Sequence, residues 1–300
     1  MKRLSIFIVG IMVAVVAMSR TFDMKLLGAD AKGIKSCTEL INRTIEKAAS
    51  EGGGTIYFPA GTYLTATIHM KSNITLYLES GAILRFSDKF EDYLPFVTLR
   101  WEGTVMKSLS PLIYAHSADN VTISGRGTLD GNGLKWWLWE FDTRKVIKEN
   151  GGKLPALDKL QQMWVDANKD LEISDYYKPS LERRMFRPPF IQFYECTNIL
   201  IENVKIINSP FWTINPAFCD NVTIHGVTIN NPSSDPKGPN TDGINPSSCR
   251  NVRISDCFIS VGDDCITIKS GRDADGRKYG KACENITITN CIMLSGHGGV

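Results

Sequence analysis

The sequence predicts an all-β chain wound as a right-handed parallel β-helix. Three observations carry this: an asparagine-led strand that recurs along the chain, a near-constant interval between its copies, and turns rich in Gly and Asn. The unit is an Asn, an alternating run of branched residues, and then a second short strand. Copies begin at Asn73, Asn120, Asn198, Asn221, Asn251 and Asn285, the last four at intervals of 23, 30 and 34 residues. Strands with one apolar face at such intervals form stacked coils, each pairing in parallel with the next at about 4.8 Å. A sandwich would not repeat one signature six times along the chain. Asn at a fixed corner suits a turn where a side-chain amide bonds the backbone of the neighbouring coil.

A solenoid exposes core at its ends unless something covers it. Ser36 to Glu39 reads as a capping box, and Leu40, Ile41, Ile45 and Ala48 follow at helical spacing. Residues 36–50 are therefore expected to form an amphipathic helix that plugs the N-terminal end, stopped by Gly52, Gly53 and Gly54. Nothing comparable follows the last copy, and Val300 comes directly after a glycine-rich turn, so C-terminal coils are expected to be missing. An insertion of about residues 131–189 interrupts the repeat. It holds Trp136, Trp137, Trp139 and Trp164 beside Arg183, Arg184 and Arg187. A small, partly helical subdomain with the tryptophans as its own core is the first reading, and sugar stacking with carboxylate pairing is the second.

Three hundred residues suffice for one large domain. A net charge of +2 does not mark a nucleic-acid binder, so any cationic surface must be local. Lys2 and Arg3, the apolar run Leu4 to Met18 and the small residues around Ser19 read as a signal peptide over residues 1–19. The run is short for a bilayer span, so residues 20–300 are expected to be an exported catalytic domain, periplasmic or extracellular, with no membrane association after cleavage. Of the eight cysteines, Cys196, Cys219, Cys249 and Cys283 each precede the repeat Asn by two residues. Eight residues further on stand Val204, Val227, Cys257 and Cys291. Cys alternating with Val at one site reads as a small buried filler rather than a disulfide framework.

The chemical signal lies in three short segments: Asn240-Thr241-Asp242-Gly243, Gly262-Asp263-Asp264-Cys265 and Gly296-His297-Gly298. Asp242 precedes Asp263 by 21 residues, close to one coil, which brings the two turns side by side. Like charges gathered there hold at least one proton to higher pH than a free Asp does. A carboxylic acid beside carboxylates is the pair that glycosidic cleavage needs. Clustered Asp oxygens also suit calcium.

This ordered set resembles that of the polygalacturonase family of glycoside hydrolases, family 28. The Asn-led repeats and the segment from Gly52 to Tyr63 resemble its bacterial members. The resemblance implies a pectin-lyase-like solenoid and inverting hydrolysis of α-1,4 galacturonosyl bonds in pectic polysaccharide, without cofactor or metal. It assigns Asp263 as the general acid and Asp242 and Asp264 as the carboxylates that hold and activate water. His297 is the histidine bonded to the acid, and Asn240 orients Asp242 or a sugar hydroxyl. Acid and base would then stand about 6.5–9.5 Å apart. The family's Arg-x-Lys motif, which follows the histidine by a few dozen residues, has no counterpart before Val300.

Lys269, which ends the strand leaving Asp264, is the cation best placed to pair with a substrate carboxylate. Arg272, Arg277, Lys278 and Lys281 follow in a polar excursion, and Arg277 and Lys278 read as a solvated loop. Trp212, one coil before Asp242, is either a sugar platform or packing against the insertion. His69, His116 and His225 are dispersed and lack zinc spacing, and neither a phosphate loop nor a Gly-x-Ser-x-Gly elbow is present. Rhamnogalacturonan hydrolysis, a calcium-dependent pectate lyase and a non-catalytic glycan-binding β-helix are the competing readings. The default expectation is a monomer, exo-acting if the insertion walls off one end of the groove.

Overall fold

A computed structural model describes residues 20–151, 158–171, 187–232 and 235–300. The expected leader over residues 1–19, together with Arg183 and Arg184, lies outside the described residues. Two eight-stranded, wholly parallel sheets form two faces of a β-helix. One runs from Arg20–Asp23 through Asn-led strands such as Asp220–His225 to Glu284–Thr289, and the other from Lys32–Ser36 to Ile292–Ser295. The third face begins with strands Ile68–His69, Ile113–His116 and Ile191–Tyr194. It continues as single parallel bridges that link Ile191, Ile214, Ile244 and Ile266 in turn. That face carries the chemistry.

Register follows the repeat. Ile199, Val222, Val252 and Ile286 pair in succession, so every coil turns the same residue inward. Asn73, Asn120, Asn198, Asn221, Asn251 and Asn285 all adopt left-handed φ between 54° and 62°. Asn tolerates that conformation better than most side chains, which is the local reason for the repeated residue. Their amides bond side chains of the neighbouring coil rather than its backbone: Asn221 Nδ2 donates to Asn198 Oδ1 at 2.7 Å, and Asn285 Nδ2 to Asn251 Oδ1 at 3.1 Å.

All eight cysteines are free thiols, six of them buried. Cys219 N–H donates to Cys249 Sγ, and Cys249 N–H to Cys283 Sγ, so the expected column of small fillers is present. The capping helix α1 spans Thr38–Ser50 and buries Ile41, Ile45 and Ala48. Its expected capping box does not form. The helix starts at Thr38 rather than Ser36, because Ser36 still belongs to the strand Lys32–Ser36, and its hydroxyl lies 3.0 Å from that of Thr38. Buried Cys37 occupies the N-cap without a side-chain cap, and the Thr38 hydroxyl accepts from Ala66 N–H at 2.7 Å.

The insertion contributes α2 (Leu134–Glu149) and α3 (Lys159–Ala167). Trp136, Trp137 and Trp164 are buried, but not in a core of their own. Trp136 packs edge-on against Phe90 and Tyr93, and Trp137 Nε1 donates to Ser209 O at 2.9 Å. The helices therefore dock on the solenoid, because their apolar side chains find partners there already ordered by the coils. That docking brings α2 to the edge of the third face.

Candidate active site

Stacking of the third face decides which motif residues meet. Ile244 bridges to Ile266, and Gly243 N–H donates to Asp264 O at 2.9 Å. Asp242 is thus in register with Asp264, not with Asp263 as the interval of 21 residues suggested. In the next coil Cys265 N–H donates to Gly298 O and His297 N–H to Asp263 O, both within 2.9 Å. Two ladders result: Trp212, Asp242, Asp264 and Gly298 in one, and Thr241, Asp263 and His297 beside it. The flanking glycines are required by closeness. A Cβ on Gly296 would stand 2.7 Å from Asp263 O, and one on Gly298 would stand 3.2 Å from Asp264 Oδ1. Thr241 ties the turns together: its hydroxyl donates to Gly238 O at 2.8 Å and accepts from Gly262 N–H at 3.1 Å.

Asp263 sits part-exposed between two partners. His297 Nδ1 is 3.2 Å from its Oδ1, and Asn240 Nδ2 is 3.4 Å from its Oδ2. Lys237 Nζ lies 2.5 Å from His297 Nε2. An ammonium there makes Nε2 the acceptor, which leaves Nδ1 as the N–H facing Asp263. Asn240 therefore orients Asp263 rather than Asp242. Asp242 is held instead by Asn245, whose Nδ2 donates to Oδ2 at 3.0 Å, and by Lys269 Nζ at 3.6 Å. Asp264 accepts from the Thr267 hydroxyl at 3.3 Å.

The carboxylates have different environments. Asp242 is 3% exposed, and burial pushes its carboxyl up to about 7 from the ordinary 3.8. Lys269 and the Asn245 hydrogen bond oppose that rise, and the nearby Asp263 charge adds to it. To serve as a base Asp242 has to be ionised, so in that role kcat/KM is expected to climb as pH rises through about 7. Lys269→Met removes the cation that favours the ionised form. The acid limb of the pH profile is expected to move to higher pH in that variant; an unmoved limb would detach it from Asp242.

Lys269 also crosses the Trp212 ring at 4.4 Å, while Phe211 stacks on Trp212 at 5.1 Å. Trp212 is 6% exposed and already carries Phe211 and Lys269 against its ring, which favours a packing role over a sugar platform. A cleft of about 480 Å³ opens over these side chains, with Glu102, Arg272 and Ser270 on its far wall. Arg272 pairs there with Glu102 at 3.6 Å, whereas Arg277 and Lys278 are exposed as expected, but on the short helix Asp273–Tyr279 rather than in a loop. Among the other histidines, His116 lies 3.5 Å from Glu195 and His225 3.3 Å from Asp256, both on the surface.

Several contributors were not legible in the motifs. Asn245 stands three residues after Asp242 and could have been flagged as the next polar residue on that strand. Lys237 and Arg144 carry no pattern. Arg187 was noted only as one cation of the insertion. It is fully buried, its Nη2 donates to Asn240 Oδ1 at 2.8 Å, and its Nη1 donates to Pro239 O at 2.6 Å.

The ordered turns, with their histidine and stacked aspartates, have a counterpart among known families. Residues 176–299 match glycosyl hydrolases family 28. The matched segment contains all three motifs. Residues 22–98 match a second model, Rhamnogalacturonase A/epimerase, pectate lyase-like. A probable polygalacturonase of Vitis vinifera is 32% identical over 261 residues, 85% of this chain and 45% of the relative. An endo-polygalacturonase of Pectobacterium carotovorum subsp. carotovorum is 28% identical over 297 residues, 93% of this chain and 62% of the relative. Among solved structures, a hyperthermoactive exopolygalacturonase from Thermotoga maritima is similar at 38% identity and TM-score 0.77, covering 93% of this chain and 62% of that one. The chain thus spans less than two thirds of each of these relatives.

Proposed function

We propose that this chain hydrolyses α-1,4 galacturonosyl bonds of pectic polysaccharide with inversion. The observation that carries the reading is Asp263, set between His297 and Asn240, beside a ladder of Asp242 and Asp264 in a cleft lined with cations. In this mechanism the Asp263 carboxylic acid gives its proton to the glycosidic oxygen as the bond to the anomeric carbon breaks. Water attacks that carbon from the opposite face and passes a proton to Asp242 or Asp264. The His297 Nδ1–H then faces an ionised Asp263. Lys269 and Arg272 meet the carboxylate of a galacturonate ring. Exo-action is supported by the likeness to the Thermotoga exopolygalacturonase and by α2, which stands at one side of the site. Export fits the leader read over residues 1–19, and among the described residues no helix is long and apolar enough to cross a membrane.

The test follows polygalacturonate in EDTA by reducing ends and ultraviolet absorbance together. New reducing ends without absorbance are expected, with short saturated products appearing first. Absorbance that EDTA suppresses would replace the mechanism with a calcium-dependent lyase, since Asp263, Asp264 and His297 offer atoms within 4.8 Å of one another that could hold an ion. A ladder of mixed oligomers would remove exo-action. Turnover of rhamnogalacturonan alone would change the substrate.

A further inference from the structure

Asp263 and Asn240 form the wall between two hollows. The larger is the cleft with Lys269 and Arg272. The smaller, about 190 Å³, lies on the other side and is lined by Phe141, Arg144, Lys237, Pro239, Gly262 and His297. It is below the roughly 300–1,000 Å³ of drug-sized sites and suits a single sugar ring. We propose that this second hollow is a carboxylate-binding subsite for a uronic-acid ring, on the side of Asp263 away from Lys269, to which the insertion contributes Phe141 and Arg144.

Arg144 is held in place from behind. Glu140 of α2 is fully buried, and its two oxygens face different guanidinium groups: Arg144 Nε at 2.7 Å and Arg187 Nε at 3.6 Å. Arg187 is itself buried and anchors the loop at Pro239 and Asn240. A buried carboxylate between two guanidiniums leaves one positive charge in excess. Arg144, whose side chain is 43% exposed, presents that excess to the hollow, with Nη2 3.5 Å from Asn240 Oδ1. Lys237, also in the lining, adds a second cation next to His297. The one ionisable acid of the lining, Asp263, is turned to His297 and Asn240. Phe141, 37% exposed, offers an apolar ring for the carbon face of a sugar.

Geometry then relates the two hollows. An acid that protonates a glycosidic oxygen stands between two sugars, so one ring lies on each side of Asp263. In a polymer with one carboxylate per ring, each side needs a cationic partner. Lys269 and Arg272 provide one, and Arg144 and Lys237 provide the other. This inference rests on the hydrolase reading above.

Trigalacturonate and its fully methyl-esterified counterpart test it, with Arg144→Gln compared with the unsubstituted chain. KM for trigalacturonate is expected to rise about tenfold, with kcat changed less than about threefold, as for loss of one charge-assisted contact. Arg144→Lys should recover part of the loss. The methyl ester should be insensitive to the substitution. Binding of trigalacturonate to Asp242→Asn, followed by calorimetry, should weaken by a similar factor when Arg144→Gln is added. A loss confined to kcat, or an equal loss on charged and esterified substrates, would make Arg144 only a support for Asn240 and overturn the subsite. An unsubstituted chain that acts on or binds trigalacturonate, with Arg144→Gln unchanged, overturns the subsite alone. A chain that neither hydrolyses nor binds it overturns the hydrolase reading and the subsite with it.

Discussion

Asp263→Asn is expected to lower kcat on polygalacturonate by roughly 10²–10⁴, the usual contribution of a positioned general acid. The amide has the carboxyl's shape and can still accept from His297 Nδ1, 3.2 Å away, and from the Asp264 N–H at 3.0 Å. What it cannot do is release a proton to the leaving oxygen. KM should therefore change by no more than a few-fold, and the thermal midpoint should stay close to that of the parent. Steady-state assays of reducing ends, with a melting curve on the same preparations, separate these effects. Undiminished kcat would pass the acid role to another carboxyl, with Asp242 first in line because burial makes it a proton holder.

The second large effect concerns Asp242 and stability. Its folded-state value of about 7 lies above the ordinary 3.8 of an unfolded chain. The buried neutral acid therefore contributes stability that is fully present below the unfolded value and is lost as pH rises through about 7. Above that, an ionised carboxylate must be kept in a site where Oδ1 finds no hydrogen-bond partner. The interval between the two values corresponds to something on the order of 4 kcal/mol. Asp242→Asn cannot ionise. It is expected to abolish turnover, to match the parent's stability near pH 4 and to exceed it by several kcal/mol near pH 8. Urea midpoints at the two pH values check this. A difference that is the same at both would show that Asp242 does not change charge on folding.

Much of the architecture was legible because a solenoid writes its period into the sequence. The Asn corners, the inward branched residues and the Cys and Val fillers each recur, and repetition separates them from chance. Asp242, Asp263, Asp264 and His297 were legible for a related reason: each sits in a short motif whose glycines are dictated by contacts between coils. The register of Asp242 with Asp264 was not legible, because an interval of 21 or 22 residues fits either neighbour and only the backbone ladder decides. The cap of α1 failed for a different reason. The expected cap, Ser36, ends a strand of the coil, and its hydroxyl meets that of Thr38, which the distant Ala66 N–H holds in turn; such a long-range partner leaves no local trace. Arg144 and Glu140 were hidden likewise. They reach the site by docking of a non-repeating insertion, and no spacing rule links α2 to a loop about a hundred residues later.

The two ladders of the third face have one more consequence. Distance between catalytic groups here is set by the rise from coil to coil, a fixed pitch of the backbone that serves as a ruler. Corner excursions change in length from coil to coil, from 20 residues between Gly54 and Ile74 to 78 between Asp119 and Thr197, without breaking the parallel pairing. Loops can thus be lengthened, shortened or exchanged to admit differently decorated polymers while the spacing of the carboxylates stays the same. Substrate range and bond-breaking chemistry are free to evolve on separate parts of the same winding.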